Sequence, residues 1–366
     1  MGTRDRTIRS LKQAFRRGEC LHAGTDAERQ RLRRMVRRGV VRSPSRGLFV
    51  LAEDWEPLDP RARALMVIRS MSALHPDWVF CGVSAAIVHG LVVSFHLLGR
   101  VHIAVPKSRH GRSTPKLIRH SASRCPVVRV GGIRVTSLSR TVLDCLRETS
   151  FPEGLVIADS ALRLSGMPVT SFEKSLERLG KGLHGVRHAL STLSHADSRS
   201  ESGGESLARA TMIELGFRLP ELQVSVRSAL GDGHVYRPDF MWRLPDGIVY
   251  GELDGKAKYV DPSMTHGASA VRVLADERLR ESRLSATGRV MRFSYTDLRA
   301  PARLARILDA FGIPRDRRPA SLDLRPRPRR GRCSARPIPV IAWPHAEGYR
   351  AGAPSLHTTS TAEPAV

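Results

Sequence analysis

Asp239, Glu252 and Asp254 sit inside the hydrophobic runs of YRPDFMWRLPDGIVYGELDGKAKY, residues 236–259, where Lys256 and Lys258 follow them. Strand alternation puts Tyr250, Glu252 and Asp254 on one face and Gly251 and Leu253 on the other. The turn LPDG separates two strands, so the Asp239 carboxylate can approach Glu252. Two carboxylates held close repel each other unless a cation neutralises them. Mg²⁺ or Mn²⁺ suits such a pair, because Mg²⁺ prefers hard oxygen ligands and keeps several waters. Water on such a cation attacks a phosphodiester, and a lysine orients it or stabilises the charge that develops on phosphate. The alternative is ordinary surface pairing of these acids with Arg237, Arg243 and Lys256, which contributes little to stability.

The elements around these residues predict a small mixed sheet with helices on its faces. ESLARATMIELGF is a helix, LPELQVSVRS, VYRPDFMW and IVYGELDG are strands, and ASAVRVLADERLRESRLSATG is a second helix. RVMRFSY is the last strand, and LRAPARLARILDAFG closes the unit as a helix.

This arrangement resembles the PD-(D/E)XK nuclease superfamily, and within it the Vsr-like group. The matching phrases run in order: ES at Glu205 and Ser206, GFRLPELQ, PDF, GELDGKAKY and RESRLSATGRVMRF. The resemblance implies a restriction-endonuclease-like fold and metal-dependent DNA hydrolysis. By position it makes Glu205 the acid of the first helix, Asp239 the main metal ligand and Glu252 the second. The sequence departs from the pattern at Asp254, where the motif carries lysine. The basic role is then open between Lys256 and Lys258, with Lys258 slightly favoured.

Upstream, TIRSLKQAF and DAERQRLRRMVRRG predict helices, the second stopped by Gly39, and VVRSPSRGLFVL predicts strand, turn and strand. Leu32, Met35 and Val36 share one face of the second helix, with Arg29, Arg33, Arg34 and Arg37 outward. That order is a winged helix: Arg33, Arg34 and Arg37 would enter a DNA groove while Arg42 and Arg46 of the wing touch phosphate. From the wing through SAAIVHGL, HIAVP and TSLSRTVLD, over about residues 5–165, the order resembles the AbiEi-type antitoxins of type IV toxin–antitoxin systems. His89, His96, His102, His110 and His120 show no metal-binding spacing and are expected to be core or surface residues.

The chain of 366 residues carries 60 lysines and arginines against 35 acids, a formal net charge of +25. Such a balance favours a polyanionic partner, nucleic acid first. Five scattered cysteines without CxxC spacing indicate neither a disulfide framework nor a zinc site, and fit a reducing compartment. The apolar stretch from Val79 to Leu98 is interrupted by Gly82, His89, Gly90 and His96, so a buried helix running into a sheet is expected, not a membrane span.

The expectation is an α/β (α+β) protein acting on DNA in the cytoplasm, without a membrane segment or signal peptide. Residues 1–55 are the winged helix, 56–167 the AbiEi-like mixed α/β region, and 168–204 a helix and flexible linker containing HADSRSESGGES. Residues 205–315 are the Vsr-like nuclease unit and 316–366 a basic disordered tail. The rival expectation is a non-catalytic AbiEi-type antitoxin or transcriptional regulator with a cognate toxin as partner, its nuclease fold serving as scaffold. An RNA-directed nuclease is the third.

Overall fold

The computed structural model describes residues 2–106, 111–121, 125–229, 231–254 and 279–316. Its architecture is α+β, with helices packed on several small sheets. Lys256, Lys258, His110 and the tail from residue 317 lie outside the described residues.

The N-terminal unit comprises α1 (Thr3–Arg16), β1 (Leu21–His22), α2 (Asp26–Arg37), β2 (Val41–Arg42), β3 (Leu48–Leu51) and α3 (Ala52–Trp55). Thr25 caps α2 by accepting the Glu28 N–H. Gly39, at φ 76°, turns the chain out of that helix. Strand β3 is central, pairing antiparallel with β1 and β2, so the sheet has one strand more than the two-stranded wing expected from sequence. Leu11, Leu32, Met35, Val41, Phe49 and Leu51 form its core.

The middle unit contains α4 (Pro60–Leu74), β4 (Val79–Phe80), α5 (Gly82–His89), β5 (Val101–Val105), β6 (Leu117–Ser121), β7 (Val127–Val130) and β8 (Ile133–Thr136). Helices α6 (Leu138–Glu148), α7 (Phe151–Ser165), α8 (Val169–Gly180) and α9 (Val186–Leu193) follow. The strand order is β6-β5-β4-β8-β7, with β4–β8 and β5–β6 parallel. No helix among the described residues is long and apolar enough to cross a membrane. The apolar stretch after Trp78 divides into β4, the short buried helix α5 and a 3-10 turn at Phe95–Gly99.

The C-terminal unit comprises α10 (Gly203–Leu215), β9 (Glu221–Leu222), β10 (Val226–Arg227), β11 (Val235–Tyr236), β12 (Phe240–Leu244) and β13 (Gly247–Asp254). Helical residues 279–285 (α11), then β14 (Arg289–Ser294), α12 (Tyr295–Leu298) and α13 (Pro301–Ala310) complete it. Strands β14-β13-β12-β9 form one sheet, and β10 and β11 pair separately. Two strands expected to be continuous are therefore broken. One break falls at Gln223, whose φ of 58° is the only left-handed value of a non-glycine among the described residues. The other falls at Pro238, which has no N–H for a ladder.

Val249 and Leu253 of β13 and Phe240 and Trp242 of β12 pack with α10 and α13 on one face of this sheet. Tyr250 and Met241 meet Leu284 of α11 on the other. Gly251 is needed between the two: a Cβ there would lie 2.9 Å from Trp242 and 3.1 Å from Phe240.

The segment read from sequence as a flexible linker is packed. Ser200 is fully buried, and Asp197 donates its N–H to Asp159 of α7 at 2.8 Å. Arg209 of α10 donates to the same carboxylate at 2.7 Å, to the His195 carbonyl at 2.8 Å and to Ser200 Oγ at 3.3 Å. Its two glycines also serve packing. A Cβ on Gly203 would meet Val92 at 3.0 Å, and one on Gly204 would overlap Leu253 and Tyr295. Helix α10 thus lies between the middle unit and the C-terminal sheet, and its first turn approaches both closely.

Candidate functional site

The break at Pro238 leaves Asp239 at the mouth of β12, one residue before the ladder pair Phe240–Gly251. Extending that register sets Asp239 opposite Glu252. The Asp239 carboxylate accepts the N–H of Leu253 at 2.9 Å, taking the place of a backbone acceptor where the ladder ends. Glu205 comes from the start of α10. It accepts the Glu201 N–H at 2.8 Å and the Gln223 amide at 3.5 Å, while its own N–H is capped by Ser202. The left-handed Gln223 is therefore the residue that reaches Glu205.

Glu205 is only 5% exposed. Burial, reinforced by the negative charge of Asp239, pushes its carboxyl up to about 7. Burial and the charges of Glu205 and Asp239 likewise raise the Tyr295 phenol. These three groups share one electrostatic neighbourhood, at the junction of α10, β12 and α12.

Glu252 and Asp254 have other partners. Arg280 of α11 donates to Glu252 at 2.9 Å and to the Arg237 carbonyl at 3.0 Å. Arg292 of β14 pairs with Asp254 and, at 3.0 Å, with Glu281. Among the described residues, the two arginines expected to pair with these acids pair with others: Arg237 binds Glu201 at 2.8 Å and Arg243 binds Glu221 at 3.0 Å. Arg280 and Arg292 lie on elements that adjoin β13 only after folding, so nothing in the local sequence singled them out. Among the described residues, no three His, Cys, Asp or Glu side chains form a group able to hold a metal ion.

The N-terminal arginines divide. Arg29, Arg33 and Arg37 recur every fourth residue along one face of α2. With Arg46 from the wing turn and His22 from β1, they line a groove of about 590 Å³. Arg34 is not among the residues that line it. Arg42, expected on phosphate, is held by Glu56 and by the Gly39 carbonyl at 3.3 Å and does not line the groove.

His102 and His120 meet across the parallel pair β5–β6, Nδ1 to Nε2 at 2.9 Å, a contact that no sequence spacing announced. Burial, then the neighbouring His120 and Arg100, lowers His102 to about 4.

No protein-family model matches the chain. Two proteins of Mycobacterium tuberculosis are similar to it: uncharacterized protein MT2308 of strain CDC 1551 / Oshkosh and uncharacterized protein Rv2248 of strain ATCC 25618 / H37Rv. Each is 31% identical over 163 residues, covering 44% of this chain. The chain spans 58% of the length of these curated relatives.

Proposed function

We propose that the C-terminal unit is a divalent-metal-dependent phosphodiester hydrolase of the PD-(D/E)XK kind, acting on DNA that the N-terminal basic groove holds. The observation that carries this reading is the placement of Asp239 opposite Glu252 at the end of the β12–β13 ladder, with the buried Glu205 within reach of the Asp239 charge. Hard carboxylate oxygens that repel one another fit Mg²⁺ or Mn²⁺. Asp239 and Glu252 would hold the cation, Glu252 exchanging Arg280 for it. Bound there, the cation supplies charge neutralisation and a more acidic water. Glu205, with its carboxyl near neutrality, is suited to take up or release a proton at its Oε atoms. The released Arg280, with Lys256 or Lys258, would face the phosphate.

A second reading has its own observation. Glu252 and Asp254 are already paired with Arg280 and Arg292, as in a site that serves as scaffold. That pairing favours a non-catalytic AbiEi-type antitoxin or transcriptional regulator, with a toxin protein as partner.

Incubation of the full chain with duplex, single-stranded and mismatched DNA in Mg²⁺ and Mn²⁺ separates the two. The nuclease reading expects cleavage that Asp239→Asn and Glu252→Gln each reduce by orders of magnitude with DNA binding retained. A double variant should be little worse, since the two carboxylates act as one unit. Between Lys256→Ala and Lys258→Ala, the larger loss identifies the phosphate-facing lysine. Inactivity on every substrate, together with no Mn²⁺ uptake by calorimetry, would leave the regulator.

A further inference from the structure

Where the wing turn meets the middle unit, a cavity of about 370 Å³ opens. Val67, Ile68 and Ile87 are among the apolar residues lining it. Arg63, Arg100 and Lys116 also line it, and among the described residues no acidic side chain does. This volume falls within the range of small-molecule sites, roughly 300–1,000 Å³. Three cations around an acid-free opening repel one another, and an anion seated among them relieves that repulsion.

The cations are held differently. Arg63 is fixed: its guanidinium lies over the Trp55 ring and donates to the carbonyls of Trp55 at 3.1 Å and Glu56 at 2.7 Å. Lys116 donates to the Pro44 carbonyl at 2.5 Å. Arg100 is exposed and has no acidic partner among the described residues.

We propose that this cavity binds a small amphipathic organic anion, with its apolar or aromatic body over Val67 and Ile68 and its anionic head on Arg100 and Lys116. Lys116 gives the site a consequence. Pro44 and Ser45 line the cavity, while Ser43, Arg46 and Gly47 of the same turn line the basic groove. An anion that draws Lys116 off the Pro44 carbonyl releases one tie on the turn that carries Arg46. Ligand and DNA are then linked, each changing the affinity of the other by the same factor. This coupling, unlike the site itself, rests on the groove being a DNA interface.

The test uses 8-anilinonaphthalene-1-sulfonate, an aromatic sulfonate that fluoresces on leaving water, titrated into the full chain. One saturable site is expected, weakened about tenfold by Lys116→Gln or Arg100→Gln through loss of a charge-assisted contact. Ala64→Trp, which fills the cavity, should abolish binding. The neutral N-phenyl-1-naphthylamine should bind at least about tenfold more weakly than the sulfonate, since it lacks the charged head. Equal sulfonate affinity in the wild type and both exposed-cation variants overturns the proposal, as does equally tight binding of the neutral dye. Should Ala64→Trp fail to fold, the exposed-residue variants decide the matter. For the coupling, saturating sulfonate should shift duplex affinity in the wild type and not in Lys116→Gln. A site intact by fluorescence with no shift overturns the coupling alone, whereas absence of duplex binding without any dye counts against the groove reading instead.

Discussion

Asp159 of α7 and Arg209 of α10 form an ion pair at 2.7 Å, with side chains 0% and 6% exposed. The pair ties the middle unit to the helix that carries Glu205, one turn upstream of Arg209. Asp159 also receives the Asp197 N–H, and Arg209 also reaches the His195 carbonyl, so the segment between α9 and α10 is anchored at the same point. The two units share this helix.

Removing one partner leaves a buried charge without its counter-charge. Asp159→Asn or Arg209→Met should each lower unfolding free energy by about 3–5 kcal/mol in urea denaturation, and the double replacement Asp159→Leu with Arg209→Met should recover much of it. A loss below about 1 kcal/mol in the single variants would show that the pair does not hold the interface.

The same network sets protease sensitivity. Ser200 is fully buried and Arg163 holds its carbonyl, so the native chain should resist cleavage through residues 195–204 despite their Ser/Gly-rich composition. Asp159→Asn should open that stretch to attack. Rapid cutting there in the wild type, followed by mass spectrometry of the fragments, would contradict the packing.

Glu205 makes stability depend on pH. Its folded carboxyl is raised to about 7 from an ordinary value of 4.5, so the folded state holds the proton more tightly than the unfolded one. The stability from this group is fully present below 4.5 and is lost as pH rises through about 7. Glu205→Gln should remove that component and become the more stable protein above neutrality. Urea denaturation of both proteins between about pH 4 and pH 8 tests this; parallel profiles would sink it. This pH range spans the window set by those values.

The groove gives the N-terminal arginines unequal weight. Arg33→Gln, Arg37→Gln and Arg46→Gln should each weaken duplex binding and reduce the salt slope by roughly one unit per lost phosphate contact. Arg34→Gln, outside the groove lining, should change both less. Equal effects at all four positions in a salt titration would mean that charge alone, and not the groove, attracts DNA.

Arg280 distinguishes the two readings of the carboxylate site. If Glu252 is a cation ligand, Arg280→Gln frees it and should tighten Mn²⁺ binding by calorimetry while slowing cleavage. Unchanged or absent Mn²⁺ binding in both proteins would favour the scaffold.

The sequence alone determined what depends on local geometry. Period-two alternation put Glu252 and Asp254 on the face opposite Leu253, and the apolar face of α2 was visible in Leu32 and Met35. Gly39 marked the end of α2 because a left-handed residue suits a helix stop. What the sequence could not determine were pairings between distant residues. Arg280 lies 28 residues from Glu252, and Arg292 lies 38 from Asp254. Only the sheet, with β14 parallel to β13 and α11 across its face, brings them together. The serines and glycines of residues 198–204 have the composition of a linker. The difference lies in Asp159, 50 residues before Arg209, whose buried charge recruits that arginine and with it the intervening chain. Polar side chains signal exposure only while their partners are water, and tertiary structure decides where the partners are protein.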